Sequence, residues 1–344
     1  MLAPLSMRLP HSVLLALLLT GASFGLSAQS APTTPLTADR DPVRSPEDAR
    51  PVPQILHKEG EGYVLHTDVE EVVLNCTVLD SHNRLVPDLK KEDFEVLEDG
   101  VQQKLISFQH TDLPVSIALV VDNSGSMGRK RPSVNKSALD LIQASNPQDE
   151  AFVVNFSDEA FIDQDFTSDV NKLSEGLSHI EARGGTALYD AVMASADNLV
   201  SGAKHPKQVL ILITDGEDNA STLNLQQTIR RVQQLSGPVI YSIGLLFGDE
   251  MSRSEARHAR QALEMLSTET GGMAFFPKNI EDIDPIAAEV ARDIRNQYTL
   301  GYHSTKPTTD AGFRSVQVAA KAKGQGKLTV RTRTGYFPVA RLAK

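Results

Sequence analysis

Oxygen-bearing side chains follow directly after an apolar run in the middle of this 344-residue chain. The run is Val115 to Val121, and the residues after it include Asp122, Ser124 and Ser126. Carboxylate and hydroxyl oxygens are hard donors, which Mg²⁺, Mn²⁺ and Ca²⁺ prefer and thiolate-seeking metals do not. This spacing therefore predicts an oxygen-lined cation site where the apolar segment ends.

Two further segments carry oxygen donors that can reach the same point. A second apolar run, Val209 to Ile213, is soon followed by Asp215, and a loop with Gly184 and Gly185 leads to Thr186. In an open α/β sheet, ligands bind beyond the carboxyl ends of the strands, where the topology changes direction. The two glycines allow the backbone to approach a ligand closely. We expect the three segments to converge on one cation.

A magnesium ion requires octahedral oxygen geometry and keeps several waters, so few protein ligands and one open position are expected. The short motif alone is also typical of an ordinary strand-to-helix turn, in which Asp, Asn, Ser and Gly act as caps. The agreement of three separate segments favours the cation site over that simpler interpretation.

Other acids near these motifs have structural interpretations. Asp190 falls in the first turn of a predicted helix, where the helix dipole favours a negative charge. The acid-rich run from Asp215 to Asn219 could suggest an EF-hand calcium loop. Counted from Asp215, however, the sequence lacks the glycine at position 6 and the glutamate at position 12 that such a loop requires. We therefore interpret Glu217 and Asp218 as solvated acids at the rim of the site.

The sequence favours binding over catalysis. Neither serine is centred in Gly-x-Ser-x-Gly, the nine histidines contain no His-Glu-x-x-His pair, and no Gly-x-x-x-x-Gly-Lys loop is present. Metal-assisted hydrolysis stays open in principle, but an open metal site alone does not specify a reaction. We predict that the chain is not an enzyme.

Apolar runs recur through the central part of the chain, at Val115–Val121, Ala151–Phe156, Val209–Ile213 and Val239–Ile243, with helical patterns between them. Strands buried on both faces that alternate with helices predict a parallel α/β sheet. The last helix is predicted at Glu281–Gln297, because Pro285 lies near its start and apolar residues recur at every fourth position.

β-type runs flank this α/β block on both sides. Before it they include residues 71–78, 93–97 and 103–106, and after it residues 298–302, 315–318 and 328–331. Residues 59–100 carry a net charge of −9 and residues 298–344 carry +8. Two interpretations stay open: the arms at 55–113 and 298–344 pair as one β domain, or both charge runs are solvated faces.

The ends and the overall composition narrow the class of protein. Residues 1–28 are typical of a signal peptide, residues 29–54 of a Pro-rich disordered linker, and no second apolar stretch is long enough to span a membrane. We therefore expect an extracytoplasmic protein, periplasmic or secreted.

The net charge of −10 argues against a generally basic nucleic-acid surface. The single cysteine, Cys76, excludes an internal disulfide and a thiolate metal cluster.

At the three oxygen-bearing segments described above, the chain resembles the von Willebrand factor A family and its metal-ion-dependent adhesion site. The family pattern Asp-x-Ser-x-Ser matches Asp122, Ser124 and Ser126, its separate Thr matches Thr186, and its separate Asp matches Asp215. The resemblance covers about residues 114–297 and implies a Rossmann-like, doubly wound, mostly parallel sheet. It also implies that the two serines bind the ion directly, while the other three residues complete or orient the coordination. A partner carboxylate commonly fills the last position.

The flanks resemble those of exported bacterial members of the family, through Asp93 to Gly100 before the α/β block and Tyr298 to Tyr302 after it. The sequence thus predicts an exported adhesion-type module that binds an acidic side chain of another protein through Mg²⁺, or through Mn²⁺ or Ca²⁺. The alternative is a structural or assembly domain of the cell envelope, whose metal only stabilises the fold.

Overall fold

The computed structural model describes residues 71–144, 146–179, 182–248, 251–307 and 310–338. The predicted signal peptide at 1–28 and the predicted linker at 29–54 lie outside these ranges. Among the helices within these ranges, none combines the length and the hydropathy needed to cross a bilayer.

The strands of the described residues are numbered in chain order. They are β1 (Glu71–Leu79), β2 (Phe94–Glu98), β3 (Val101–Gln103), β4 (Leu105–Gln109), β5 (Val115–Asp122), β6 (Glu150–Phe156), β7 (Ala160–Thr167), β8 (Lys207–Thr214), β9 (Val239–Gly244), β10 (Ala274–Phe275), β11 (Tyr298–His303), β12 (Arg314–Ala320), β13 (Thr329–Arg331) and β14 (Gly335–Tyr336). The helices are α1 (Arg131–Gln143), α2 (Val170–Ser178), α3 (Leu188–Gly202), α4 (Leu225–Gln234), α5 (Arg253–Thr270) and α6 (Ile283–Arg295).

The central sheet has the strand order β10-β9-β8-β5-β6-β7. Every neighbouring pair is parallel except β6 and β7, which are antiparallel. Alternate residues of β5 face opposite layers: Leu119 packs in a core with α1, α2 and α6, whereas Val120 packs in a core with α3, α4 and α5. All eight residues of β5 are buried, which explains its continuous apolar run. The predicted doubly wound, mostly parallel α/β fold is confirmed.

The topology changes direction at β5. From β5 the chain passes through α1 to β6 on one side, and it later passes through α3 to β8 on the other side. The carboxyl ends of β5 and β8 are therefore adjacent at the switch point, which is the usual ligand position in open α/β sheets.

The strands that flank the α/β block pair with one another. They form two antiparallel four-stranded sheets, with the orders β13-β1-β11-β4 and β14-β12-β2-β3. β1 from one flank lies against β11 and β13 from the other, and β2 lies against β12. Residues of both sheets, including Leu74, Val96, Tyr298 and Val316, share one hydrophobic core. Each sheet is therefore complete only when both flanks contribute strands.

Two details of the predicted strands differ from the structure. The prediction of one strand at 103–106 is wrong, because the chain leaves one sheet after Gln103 and enters the other at Leu105. The edge strand β7 was not predicted, since its centre contains Asp163, Gln164 and Asp165, and a strand with only one neighbour tolerates such polar residues.

A buried carboxylate joins the two flanks. The Glu98 side chain is fully buried, and its Oε2 accepts hydrogen bonds from the hydroxyls of Tyr302 at 2.8 Å and Tyr336 at 2.9 Å. Its Oε1 accepts a hydrogen bond from Ser304 Oγ at 2.5 Å and lies 3.5 Å from Arg314 Nη1. Burial, followed by the hydrogen bond to Glu98, raises the pKa of Tyr302, so this hydroxyl stays a donor. All four partners come from the C-terminal flank.

We expect the substitution Glu98→Ala to lower the free energy of unfolding by about 3–5 kcal/mol, because it removes the counter-charge of a buried guanidinium and leaves two buried tyrosine hydroxyls without their acceptor. Urea unfolding followed by circular dichroism measures the loss. Glu95→Ala on the same strand is the matched control, since Glu95 is only half-buried. Equal losses for both variants would show that the Glu98 network does not hold the flanks together.

Candidate metal centre

Asp122 lies at the end of β5 and is completely buried. Its Oδ1 accepts a hydrogen bond from the backbone nitrogen of Ser124 at 2.7 Å, and its Oδ2 accepts one from Thr214 Oγ1 at 2.5 Å. Burial raises the pKa of Asp122 to about 6, although these two donors oppose the shift. The carboxylate thus ties the end of β5 to the end of β8 and fixes the turn that follows β5.

Ser124 and Ser126 present their hydroxyls above this carboxylate, at the start of the short 3-10 turn Gly125–Arg129. Their Oγ atoms are 3.2 Å apart, and Ser126 Oγ donates a hydrogen bond to Asp215 Oδ1 at 2.7 Å. Asp215 immediately follows β8. The ends of β5 and β8 therefore place Ser126 Oγ next to both Ser124 Oγ and Asp215 Oδ1.

Thr186 is positioned by the segment that follows Asp215. Its backbone nitrogen donates to Asn219 Oδ1 at 2.9 Å, and its carbonyl accepts from the Asn219 nitrogen at 3.0 Å. A Cβ atom on Gly216 would lie 3.2 Å from Thr186 Oγ1, so a glycine there keeps the two segments close. Gly184 has a φ of +78°, a left-handed conformation that favours glycine.

The opposite side of the loop at 184–186 is fixed by Asp158. Its Oδ1 accepts a hydrogen bond from the Gly185 nitrogen at 2.7 Å. A Cβ atom on Gly184 would lie 2.2 Å from Asp158 Oδ2. Any residue other than glycine at this position would therefore displace the Asp158 carboxylate. The double glycine therefore serves close backbone approach, as the sequence predicted, but the observed contact is with Asp158.

Four of the five predicted site residues line one cavity of about 300 Å³, namely Ser124, Ser126, Thr186 and Asp215. The fifth, Asp122, is hydrogen-bonded beneath this lining. The structure thus brings all five together, from three segments that are distant in the sequence. Their role as metal ligands stays a prediction.

The donor set fits a hard divalent cation. All the predicted groups offer oxygen, and the spacings of 2.7 Å and 3.2 Å bracket the edge of an octahedron with metal–oxygen bonds of about 2.1 Å, which is about 3.0 Å. Within the described residues, no three His, Cys, Asp or Glu side chains form a cluster that could hold a metal ion. An ion at this position would therefore depend on hydroxyl ligands.

The sequence did not identify Lys130 as part of this site. Its Nζ lies 2.5 Å from Asp215 Oδ2, and both side chains are largely shielded from solvent. The ammonium also lies 5.6 Å from the centre of the Phe247 ring. No local pattern signals this ion pair, because its partners are 85 residues apart and meet only through the tertiary fold.

Two nearby acids have clearer roles in the structure. Asp190, predicted to be structural, accepts hydrogen bonds from the backbone nitrogens of Thr222 at 2.9 Å and Leu223 at 3.1 Å. Asp218 is half-buried and lines the cavity, as expected for an acid at the rim, but it also has a structural role. Its Oδ2 accepts from the Tyr189 nitrogen at 3.1 Å, and burial raises its pKa. Both acids hold the segment after β8 against the start of α3.

The curated relatives that the chain matches are distant and longer. Inter-alpha-trypsin inhibitor heavy chain H4 of Homo sapiens is 27% identical over 241 residues, which cover 64% of this chain and 25% of that protein. An uncharacterized protein of Synechocystis sp. is 28% identical over 109 residues, which cover 31% of this chain and 26% of that protein. The chain therefore spans about a quarter of the length of these two relatives.

A solved structure described as von Willebrand factor type A from Catenulispora acidiphila aligns with a TM-score of 0.46 at 13% identity, covering 79% of this chain and 75% of that chain. The family model described as "von Willebrand factor type A domain" matches residues 117–217, which include all five predicted site residues. Residues 117–217 are thus similar to this family, and the doubly wound sheet that contains them agrees with the match.

Proposed function

We propose that this chain is a divalent-cation-dependent protein-binding module that accepts a carboxylate from another protein. The observation that carries the proposal is the convergence of Ser124, Ser126, Thr186 and Asp215 on one open cavity at the sheet switch point, with Asp122 beneath it. Mg²⁺ is the proposed ion, and Mn²⁺ or Ca²⁺ are the alternatives with the same oxygen preference.

In this proposal Ser124 and Ser126 bind the ion directly, and Asp122, Thr186 and Asp215 complete or orient the coordination. When bound, the ion supplies a concentrated positive charge that attracts an anionic oxygen. The chain's own contribution is to hold its oxygens in place before binding, through Thr214 and the hydrogen-bonded loops. A carboxylate partner gains most where protein surfaces exclude water around the ion.

Binding is favoured over the alternative that the metal only stabilises the fold. Both carboxylates of the site already have protein partners: Asp122 bonds to Thr214, and Asp215 bonds to Ser126 and Lys130. A buried carboxylate that is already satisfied does not require an ion for folding. Hydrolysis is not proposed, because an open metal site alone does not specify a reaction.

The proposal extends to the setting of the module. We infer that it acts outside the cytoplasm after removal of residues 1–28, which carry the composition of a signal peptide. We also infer that residues 55–113 and 298–344 form one β domain around the inserted α/β block, and the pairing of β1 with β11 and of β2 with β12 supports this division.

We expect Mg²⁺ or Mn²⁺ at about ten times its dissociation constant to raise the free energy of unfolding by about 1.4 kcal/mol, if the ion binds only the native state. For a domain of this size, the melting temperature should rise by roughly 3 to 6 °C. Thermal melts with metal or with EDTA measure the shift. The double variant Ser124→Ala/Ser126→Ala should show no such shift. Equal melting temperatures of the wild type in metal and in EDTA would contradict the proposed site.

We expect a tagged chain to retain a protein partner from cell-envelope extract with Mg²⁺ and to release it with EDTA. Ser126→Ala and Asp122→Ala should each lose the partner while keeping the wild-type circular dichroism spectrum. Asp165→Ala, which removes an exposed acid of β7, is the matched control. Global unfolding of Asp122→Ala in either buffer would favour the alternative that the metal only stabilises the fold. In that case Ser126→Ala tests binding separately, because Ser126 is exposed.

The raised pKa of Asp122 predicts a pH dependence in metal-free buffer. Because the native state holds the Asp122 proton up to pH of about 6 and the unfolded state loses it near 3.8, the contribution of this residue to stability falls as pH rises through that window. From pH 4 to pH 7, the unfolding free energy of Asp122→Asn should gain about 2–3 kcal/mol relative to wild type. A constant difference between the two denaturation curves would contradict the burial of this charge.

A further inference from the structure

The cavity that contains the hydroxyls of Ser124, Ser126 and Thr186 is larger than one carboxylate requires. Its volume is about 300 Å³. A carboxylate that binds an ion displaces one or two waters, each of which occupies about 30 Å³, whereas pockets of about this volume enclose whole small molecules. A ligand that fills the cavity therefore carries a second group next to its carboxylate.

Apolar residues line the same cavity. Leu246, Phe247 and Met251 all belong to the segment that joins β9 to α5. This segment is anchored at its start, because the Leu245 nitrogen donates to the Thr214 carbonyl at 2.8 Å and the Leu245 side chain is fully buried. Thr214 ends β8, the strand that leads into the predicted metal site, so the apolar residues are tied to that strand end.

Two of these residues keep apolar surface that no core covers. Phe247 packs partly against the core that contains β5, α1 and α6. Leu246 and Met251 are half-buried, and within the described residues neither belongs to a hydrophobic core. Because both line the cavity, a ligand there covers their remaining apolar surface, and this stabilises the complex in proportion to the area removed from water.

The charges around the cavity disfavour a second charged group in the ligand. The described lining includes the acids Glu217, Asp218 and Glu255, which a second anionic group would meet. On the apolar side, Lys130 Nζ lies 5.6 Å from the centre of the Phe247 ring, so a cationic group there would approach a like charge. An uncharged, apolar group avoids both repulsions.

The acids also limit what an ion contributes by itself. Glu217, Asp218 and Glu255 offset part of the positive charge that a divalent ion brings, which weakens the attraction between the ion and a single carboxylate. Apolar contact does not depend on this charge balance. It therefore supplies the affinity that the ion and one carboxylate lack.

We propose that the site selects a partner segment in which a large apolar side chain lies next to an acidic residue. The carboxylate binds at the hydroxyl cluster of Ser124 and Ser126, and the apolar side chain covers Leu246 and Met251 beside the Phe247 ring. This inference rests on the proposed function and specifies the class of partner segment that the site accepts.

The test compares acetate, hexanoate and 6-aminohexanoate as probes on the full chain with MnCl₂ at neutral pH. Dissociation constants come from the paramagnetic relaxation of the probe protons, a measurement that suits weak ligands. We expect hexanoate to bind about tenfold more tightly than acetate, which corresponds to burial of about half of its four additional methylene groups. The probe 6-aminohexanoate ends in a cation, and we expect it to bind more weakly than hexanoate.

The double variant Leu246→Ser/Met251→Ser should lower the affinity for hexanoate to that for acetate and leave the affinity for acetate unchanged. Val200→Ser is the matched control, because it removes an apolar residue of α3 that is 40% exposed and lies outside the described lining of the cavity. This control should keep the preference for hexanoate.

Equal affinities of the wild type for acetate and hexanoate would overturn the apolar selection and leave the proposed metal site intact. Binding of 6-aminohexanoate at least as tight as that of hexanoate would also overturn it, as would a preference for hexanoate that survives in the double variant or is lost in the control. Relaxation of water protons measures Mn²⁺ binding without any carboxylate. If the wild type binds no Mn²⁺, or binds Mn²⁺ but no carboxylate, the proposed function fails and this inference fails with it.

Discussion

The hydrogen bond between Thr214 and the buried Asp122 carboxylate is the interaction on which the site depends. It joins the last residues of two parallel strands, and the same carboxylate accepts the backbone nitrogen of Ser124. A charge in this position is costly, as its raised pKa shows, and it is tolerated because oriented donors surround it. The turn that carries Ser124 and Ser126 is consequently tied to the ends of two strands of the sheet.

The architecture around this carboxylate was largely predictable, because each central strand is buried on both faces and appears as an uninterrupted apolar run. The resemblance to the von Willebrand factor A family is confirmed by the match over residues 117–217. The convergence of Ser124, Ser126 and Asp215 also follows from the sequence, since residues that end adjacent parallel strands must lie at one edge.

Other features depend on contacts that a linear pattern does not encode. The ion pair of Lys130 with Asp215 forms only if the turn before α1 has the right orientation. Asp218 can accept the Tyr189 nitrogen only because the start of α3 lies beside it. The break between β3 and β4 arises because the chain changes sheets within one residue. Glu98 shows the same limitation, because an acid on a short strand carries no local sign that four distant side chains will enclose it.

The interleaving of the two flanks has a consequence for how the chain is made. Strands β1 and β2 emerge first during synthesis, but the strands that complete their sheets lie about two hundred residues further along. The contacts of the α/β block lie mostly within the block, whereas the early strands present open edges until their partners have been synthesised. Closure of the β layers must wait until the final segment has been synthesised. A truncated or stalled chain would therefore expose the edges that favour intermolecular strand pairing, and the C-terminal segment serves as the chain's own safeguard against aggregation.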